Sequence, residues 1–206
     1  MCCPRDDSAA IILKNKGIRM LPTADLDADM AQLLQMSSDG VGFSINNSRI
    51  IHDKHLDTGV SFFNIHAGLV QRYRGLAEIC IFAALCQAEH TYGVTLHRIL
   101  PGDAIDCGPV LAQSSFDIAA GEGFADVLGN ALSSCQRLFE QNVRNVLSNH
   151  YEPMQVSRCE RAYSYKDVRQ LCIDVAPNRL ARATDLREYR SSFPRLTRII
   201  EEFCAL

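Results

Sequence analysis

The hydrophobic pattern of this chain changes period repeatedly between about 3.6 and 2, which predicts helices alternating with strands. The spacing predicts a helix over 8–16 closed by Gly17, a short strand over 18–22 and a helix over 27–35 with acidic residues near its start. A strand follows over 41–45, a polar turn at 46–48, and a second strand over 60–66. The segment 76–90 reads as a helix whose apolar stripe is too wide for a surface helix, so burial on more than one side is expected. Strands over 93–99 and 108–118 are joined by the loop 100–107, and 121–147 is the longest helical pattern. A soft boundary falls at 149–153, dividing the chain into 1–150 and a more basic appendage, 151–206, with short helices over 164–172 and 195–204. The alternation predicts an α/β fold with a mostly parallel sheet and helices on its faces.

Composition narrows the class without naming a function. The 206 residues suffice for one substantial domain, and 47% hydrophobic with 22% charged residues is the profile of a soluble globular protein. A net charge of −3 gives no electrostatic reason to expect nucleic acid or an anionic membrane. No stretch reads as a membrane span or a signal peptide, so a cytoplasmic location is expected. The nine cysteines lack any CxxC pair, so we read them as reduced, mostly buried small hydrophobes; no metal is expected. Cys107 is set apart by its acidic neighbour, although Gly108-Pro109 reads as a turn.

The candidate chemistry lies in 61–75, SFFNIHAGLVQRYRG. Asn64 and His66 are two apart on a strand and therefore point to one face. Asp106 lies in a loop between two later strands. An amide, an imidazole and a carboxylate brought together can carry out acyl transfer without a nucleophilic side chain. Asn donates to a developing oxyanion, His supplies a second donor or handles a proton, and the carboxylate fixes the imidazole and moves protons. His52 and His55 read as solvent histidines, and His97 as structural despite its proximity to Asp106. No GxSxG context surrounds Ser44, Ser61 or Ser114, which argues against a serine hydrolase.

Three ordered motifs, NIHAGLVQRYRG, YGVTLHRI and AIDCGPVLAQ, resemble the folate-dependent formyltransferases. That family includes glycinamide ribonucleotide transformylase, methionyl-tRNA formyltransferase and the sugar N-formyltransferases. The resemblance covers roughly residues 10 to 150 and is dense from 40 to 118. It implies a Rossmann-like three-layer fold and transfer of a formyl group from 10-formyltetrahydrofolate to a primary amine. Asn64 and His66 would stabilise the oxyanion, and Asp106 would hold His66 and take the amine's proton. The folate ring would lie along Asn47, Ser48, Arg49 and Ile50 and along the loop containing Leu100, Gly102, Asp103 and Ile105. Arg72, Arg74 and Gly75 form a basic loop that is either solvated or in contact with the folate tail or the acceptor.

The chain also departs from that family. Ala67 stands where a Pro is usual and Gly68-Leu69-Val70-Gln71 where Ser-Leu-Leu-Pro is usual, changes expected to loosen the loop and widen the acceptor entry. The usual opening strand and glycine-rich turn are not recognisable. Compensation for that strand is expected from the N-terminal residues, the appendage or a second subunit in a homo-oligomer. A small-molecule amine such as an amino sugar nucleotide, an amino acid or another biosynthetic amine is the expected acceptor. Hydrolysis of formyltetrahydrofolate, or folate binding without catalysis, are the alternatives.

Overall fold

The computed structural model describes residues 2–4, 15–45, 47, 49–157, 159–173 and 175–203. In chain order its elements are β1 (Cys2–Pro4), β2 (Leu21–Thr23), α1 (Leu26–Gln35), β3 (Val41–Ile45), α2 (Asp53–Leu56), β4 (Ser61–His66), β5 (Arg74–Gly75), α3 (Ala77–Cys86), β6 (Thr91–Ile99), β7 (Val110–Asp117), α4 (Phe124–Leu147), β8 (Ala162–Tyr163), α5 (Val168–Cys172), α6 (Pro177–Ala183) and α7 (Pro194–Phe203). Most of the helix expected over 8–16 lies outside the described residues.

The α/β architecture is the one expected. Of the strand pairs among the described residues, β1–β2, β3–β4 and β5–β8 are parallel. The central sheet runs β3-β4-β6-β7, and its last two pairings are antiparallel. Antiparallel pairing sets Asn64 opposite His97 and His66 opposite Thr95, with a register irregularity between Leu96 and His97. The strands expected over 93–99 and 108–118 form as an antiparallel pair, and the loop between them folds back over the sheet face that carries Asn64.

Local chemistry explains the helix ends. Asp25 caps α1 by accepting hydrogen bonds from the amides of Asp27 and Ala28 at 3.0 and 3.2 Å. The Gly123 amide donates to the Asp126 carboxylate at 3.0 Å, closing the first turn of α4. Helix α4 buries Phe124, Val127, Leu128, Ala131, Cys135 and Leu138 along one stripe and packs against β4, β6 and β7. Helix α3 is buried from Glu78 through Cys86 without a break, because it packs against α4, α5 and α6.

The hydrophobic core crosses position 150 without interruption. Leu180, Leu186, Leu196 and Ile200 of the appendage belong to the same buried cluster as Phe63, Ile79, Phe82 and Phe124. Tyr151, at the expected boundary, sets its ring edge-on against Phe63 at 5.7 Å, and Met154 bridges Val110 on β7. Tyr165 donates to the buried carboxylate of Glu78 at 2.6 Å. These contacts tie the appendage to α3 and to the sheet.

Candidate active site

Strand β4 presents Asn64 and His66 on one face, β6 contributes His97, and the loop 100–107 brings in Asp106. The Asn64 amide nitrogen lies 3.2 Å from both His97 Nε2 and Asp106 Oδ1. The other carboxylate oxygen, Oδ2, accepts from the Gly75 amide at 2.8 Å and faces His66 Nδ1 at 3.6 Å. Asp106 Oδ1 is 3.3 Å from His97 Nε2. Asp106 adopts φ +55°, a left-handed conformation that Asp tolerates better than most residues. The three expected catalytic residues therefore converge, with His97 as a fourth member.

Acceptors fix the hydrogens. A backbone carbonyl only accepts, so His66 Nε2 donates to the Tyr73 carbonyl at 2.9 Å and His97 Nδ1 donates to that of Arg98 at 3.1 Å. In neutral His97, Nε2 is then an acceptor. A carboxylate also accepts only, so the Asn64 atom facing it is the amide nitrogen, whose two hydrogens serve Asp106 and His97. In neutral His66, Nδ1 carries a lone pair directed toward the Asp106 carboxylate.

His66, His97 and Asp106 are each under 10% exposed, so their charges are coupled. Burial pushes the His66 imidazole below its ordinary value, although the Asp106 carboxylate pulls the other way. Burial raises the Asp106 carboxyl, but the two imidazoles and the Gly75 amide outweigh it and hold the group at about 2. The pair thus stands as a carboxylate beside a neutral imidazole, a proton-accepting arrangement.

The loop after His66 is pinned, which corrects the expectation that Ala67 and Gly68 loosen it. Ala67 is 4% exposed, and the Tyr92 hydroxyl donates to its carbonyl at 2.7 Å. The Thr95 hydroxyl donates to the Gly68 carbonyl at 2.8 Å, and Gln113 donates to both Thr95 and Gln71 at 2.8 Å. A Cβ on Gly68 would lie 2.4 Å from His66 Nε2 and 2.7 Å from the Tyr73 carbonyl. The missing side chain here admits the His66–Tyr73 hydrogen bond and does not create slack.

The basic loop divides. Arg72 is half-exposed and paired with Glu89. Arg74 is buried, donating through Nε to the Ile105 carbonyl at 2.9 Å and through its terminal nitrogen to the Cys159 carbonyl. Gly75 contributes its amide to Asp106. Among the residues expected to line a folate ring, Asn47 forms a turn with Arg49, accepting from its amide and donating to its carbonyl, both at 3.0 Å. Ile50 and Ile105 are exposed at 61% and 47%. The Gly102 amide donates to Asp53 of α2 at 3.2 Å, joining the loop of Leu100, Gly102, Asp103 and Ile105 to the segment after Ile50. Ser48 lies outside the described residues.

Other polar residues take structural positions. His55 is not a free solvent histidine: with Lys54 it holds Asp27, and this fastens α2 to α1. Cys80, Cys86 and Cys135 are buried, and burial pushes the Cys135 thiol up to about 12, which fits inert core thiols. Among the described residues no cluster of His, Cys, Asp and Glu is arranged to hold a metal ion, and no helix is long and apolar enough to cross a membrane. The place of His97 opposite Asn64 follows only from the antiparallel pairing of β4 with β6.

This fold has known counterparts. A family model described as formyl transferase matches residues 7–141, and the chain belongs to that family. It is 23% identical over 140 residues to a methionyl-tRNA formyltransferase of Thermosipho africanus, a match covering 68% of this chain and 44% of the relative. The chain thus spans less than half the length of that relative. Among solved structures, a 4-N formyltransferase from Francisella tularensis superimposes with a TM-score of 0.72 at 19% identity, covering 89% of this chain and 75% of the other. An N-formyltransferase from Helicobacter canadensis, in complex with folinic acid and dTDP-3-aminofucose, gives a TM-score of 0.68 at 20% identity, covering 90% and 70%.

Proposed function

We propose that this protein transfers a formyl group from 10-formyltetrahydrofolate to a primary amine of a small acceptor, of the amino sugar nucleotide class. The observation that carries the reading is the Asp106 carboxylate held between Asn64 and His66 in a member of the formyl transferase family. The folate supplies the formyl carbon as an activated acyl group. Exposed Ile50 and Ile105, on loops joined through Asp53 and Gly102, suit a flat ring laid against apolar side chains. The acceptor class is taken from the N-formyltransferase seen with dTDP-3-aminofucose. Residues 1–150 are about three quarters of the chain, yet the match to the N-formyltransferase seen with dTDP-3-aminofucose covers 90% and so extends into the appendage.

The chain's own residues divide the work. His66 Nδ1 and Asp106 Oδ2 are two acceptors 3.6 Å apart, so a proton leaving the amine as it bonds to the formyl carbon is taken up by this pair, and the pair returns a proton to the folate N10 as the carbon–N10 bond breaks and tetrahydrofolate leaves. Asn64 releases an N–H from His97 or Asp106 to donate to the developing oxyanion. The His66–Tyr73 hydrogen bond keeps the imidazole oriented through the transfer.

The test is turnover of 10-formyltetrahydrofolate with a panel of amino sugar nucleotides and amino acids, by absorbance and product mass. Amine-dependent formylation that is lost in Asn64→Ala and Asp106→Asn is expected. Amine-independent release of formate would replace transfer by hydrolysis. Folate binding with no turnover on any amine would reduce the protein to a binding relative.

A further inference from the structure

Residues 159–163 run alongside β5 as a strap. Strand β8 pairs in parallel with β5, setting Ala162 opposite Arg74 and Tyr163 opposite Gly75. The Cys159 amide donates to the Val70 carbonyl at 3.2 Å, and the Leu76 amide donates to the Tyr163 carbonyl at 2.9 Å. The Tyr163 hydroxyl accepts from Gln87 at 3.1 Å, and its ring lies 5.8 Å from that of Tyr73. The strap is thus fixed to both ends of the 70–76 turn.

Arg74 is the link between the strap and the site. It is 6% exposed, and its guanidinium reaches the carbonyls of Cys159 and Glu160 on the strap and of Ile105 in the loop. Ile105 is the residue before Asp106, so one rigid fork spans from the appendage to the carboxylate's own backbone. Gly75 completes the link. Its amide donates to Asp106 Oδ2, its φ is +104°, and a Cβ there would lie 2.3 Å from the Tyr163 carbonyl oxygen. The Arg74 Nε and one terminal nitrogen are thus turned to backbone carbonyls.

We propose that the strap 159–163 is a positioning element for Asp106, acting through Arg74 and Gly75. Arg74 holds the Asp106 backbone against the appendage, and Gly75, kept in register by Tyr163, holds its carboxylate toward His66. The proposal rests on the formyl-transfer reading of the site for its kinetic arm, but its structural arm does not. The appendage contributes no group to the reacting atoms; it determines where the carboxylate stands.

The experiment compares Arg74→Lys and Cys159→Pro with wild type. The first keeps the charge without the fork, and the second removes the strap's N–H to Val70 while keeping Arg74 and the residue 159 carbonyl it donates to. Thermal melts confirm folding. The expected result is a kcat lower by about tenfold or more in both, since small misplacements of a reacting group are costly, with KM for donor and acceptor within about threefold. Hydrogen exchange at the Gly75 amide should accelerate in both variants while core amides of β6 stay protected. A raised KM at unchanged kcat for Arg74→Lys would make Arg74 a substrate-binding residue and overturn the proposal. Wild-type kcat and unchanged Gly75 exchange in both folded variants would also overturn it. If wild type formylates no amine, the functional reading fails, and Gly75 exchange alone decides whether the strap holds the carboxylate.

Discussion

Asn64 and His97 are direct partners across the antiparallel β4–β6 pair, with the amide nitrogen 3.2 Å from His97 Nε2. Because His97 Nδ1 is committed to the Arg98 carbonyl, Nε2 is the acceptor that orients the amide. His97→Ala removes this part-buried hydrogen bond, at a cost of about 0.5–1.5 kcal/mol in stability. Urea unfolding should show the loss, and His97→Gln, which restores an acceptor, should recover part of it. Equal midpoints for all three proteins would remove His97 from the network.

Asn64→Ala removes the amide proposed to meet the oxyanion. The expected loss in kcat is about 10²–10³-fold, the range for deleting one oxyanion donor. Circular dichroism should remain that of wild type, since Asn64 is only partly buried. A loss below about threefold would move oxyanion stabilisation elsewhere.

Gly68→Ala places a methyl group where His66 Nε2 and the Tyr73 carbonyl now meet. Overpacking of this kind costs about 1–3 kcal/mol. The imidazole must also turn away from Tyr73, so activity should fall together with stability. Full activity in Gly68→Ala would mean that the His66–Tyr73 hydrogen bond has no bearing on turnover.

The pH dependence of folding follows from the shifted groups. The folded pKa of His66 is lowered, so below its ordinary value of about 6.5 the unfolded chain binds more protons than the folded one. Stability is therefore full above about pH 6.5 and declines as the pH falls below it. The Asp106 contribution is present above its ordinary value of about 3.9 and is lost as the pH falls through about 2. Unfolding free energies between pH 8 and 5 should slope less steeply in His66→Gln than in wild type. Parallel slopes would assign the acid sensitivity to other histidines.

Much of this protein is legible from its sequence. Helical period predicts α1, α3, α4 and α7, and alternation predicts β3, β4, β6 and β7, because both depend on side chains that face one direction from a regular backbone. The continuous burial of α3 follows from its wide apolar stripe. The spacing of Asn64 and His66 places them on one face before any fold is known, and the ordered motifs point to Asp106.

Tertiary structure decided what depends on contacts distant in sequence. The pairing direction of β4 with β6 leaves no mark on a period of two, yet it sets His97 against Asn64. Strands β5 and β8 and helix α6 are too short to show a period, and they form because β5 and α3 offer a partner. Arg74 reads as a surface cation in a basic loop, but chain segments 31 and 85 residues away bring carbonyls to it and bury it. Gly68 reads as slack and is a close contact. In each case the deciding energy lies in a neighbour that sequence order does not disclose.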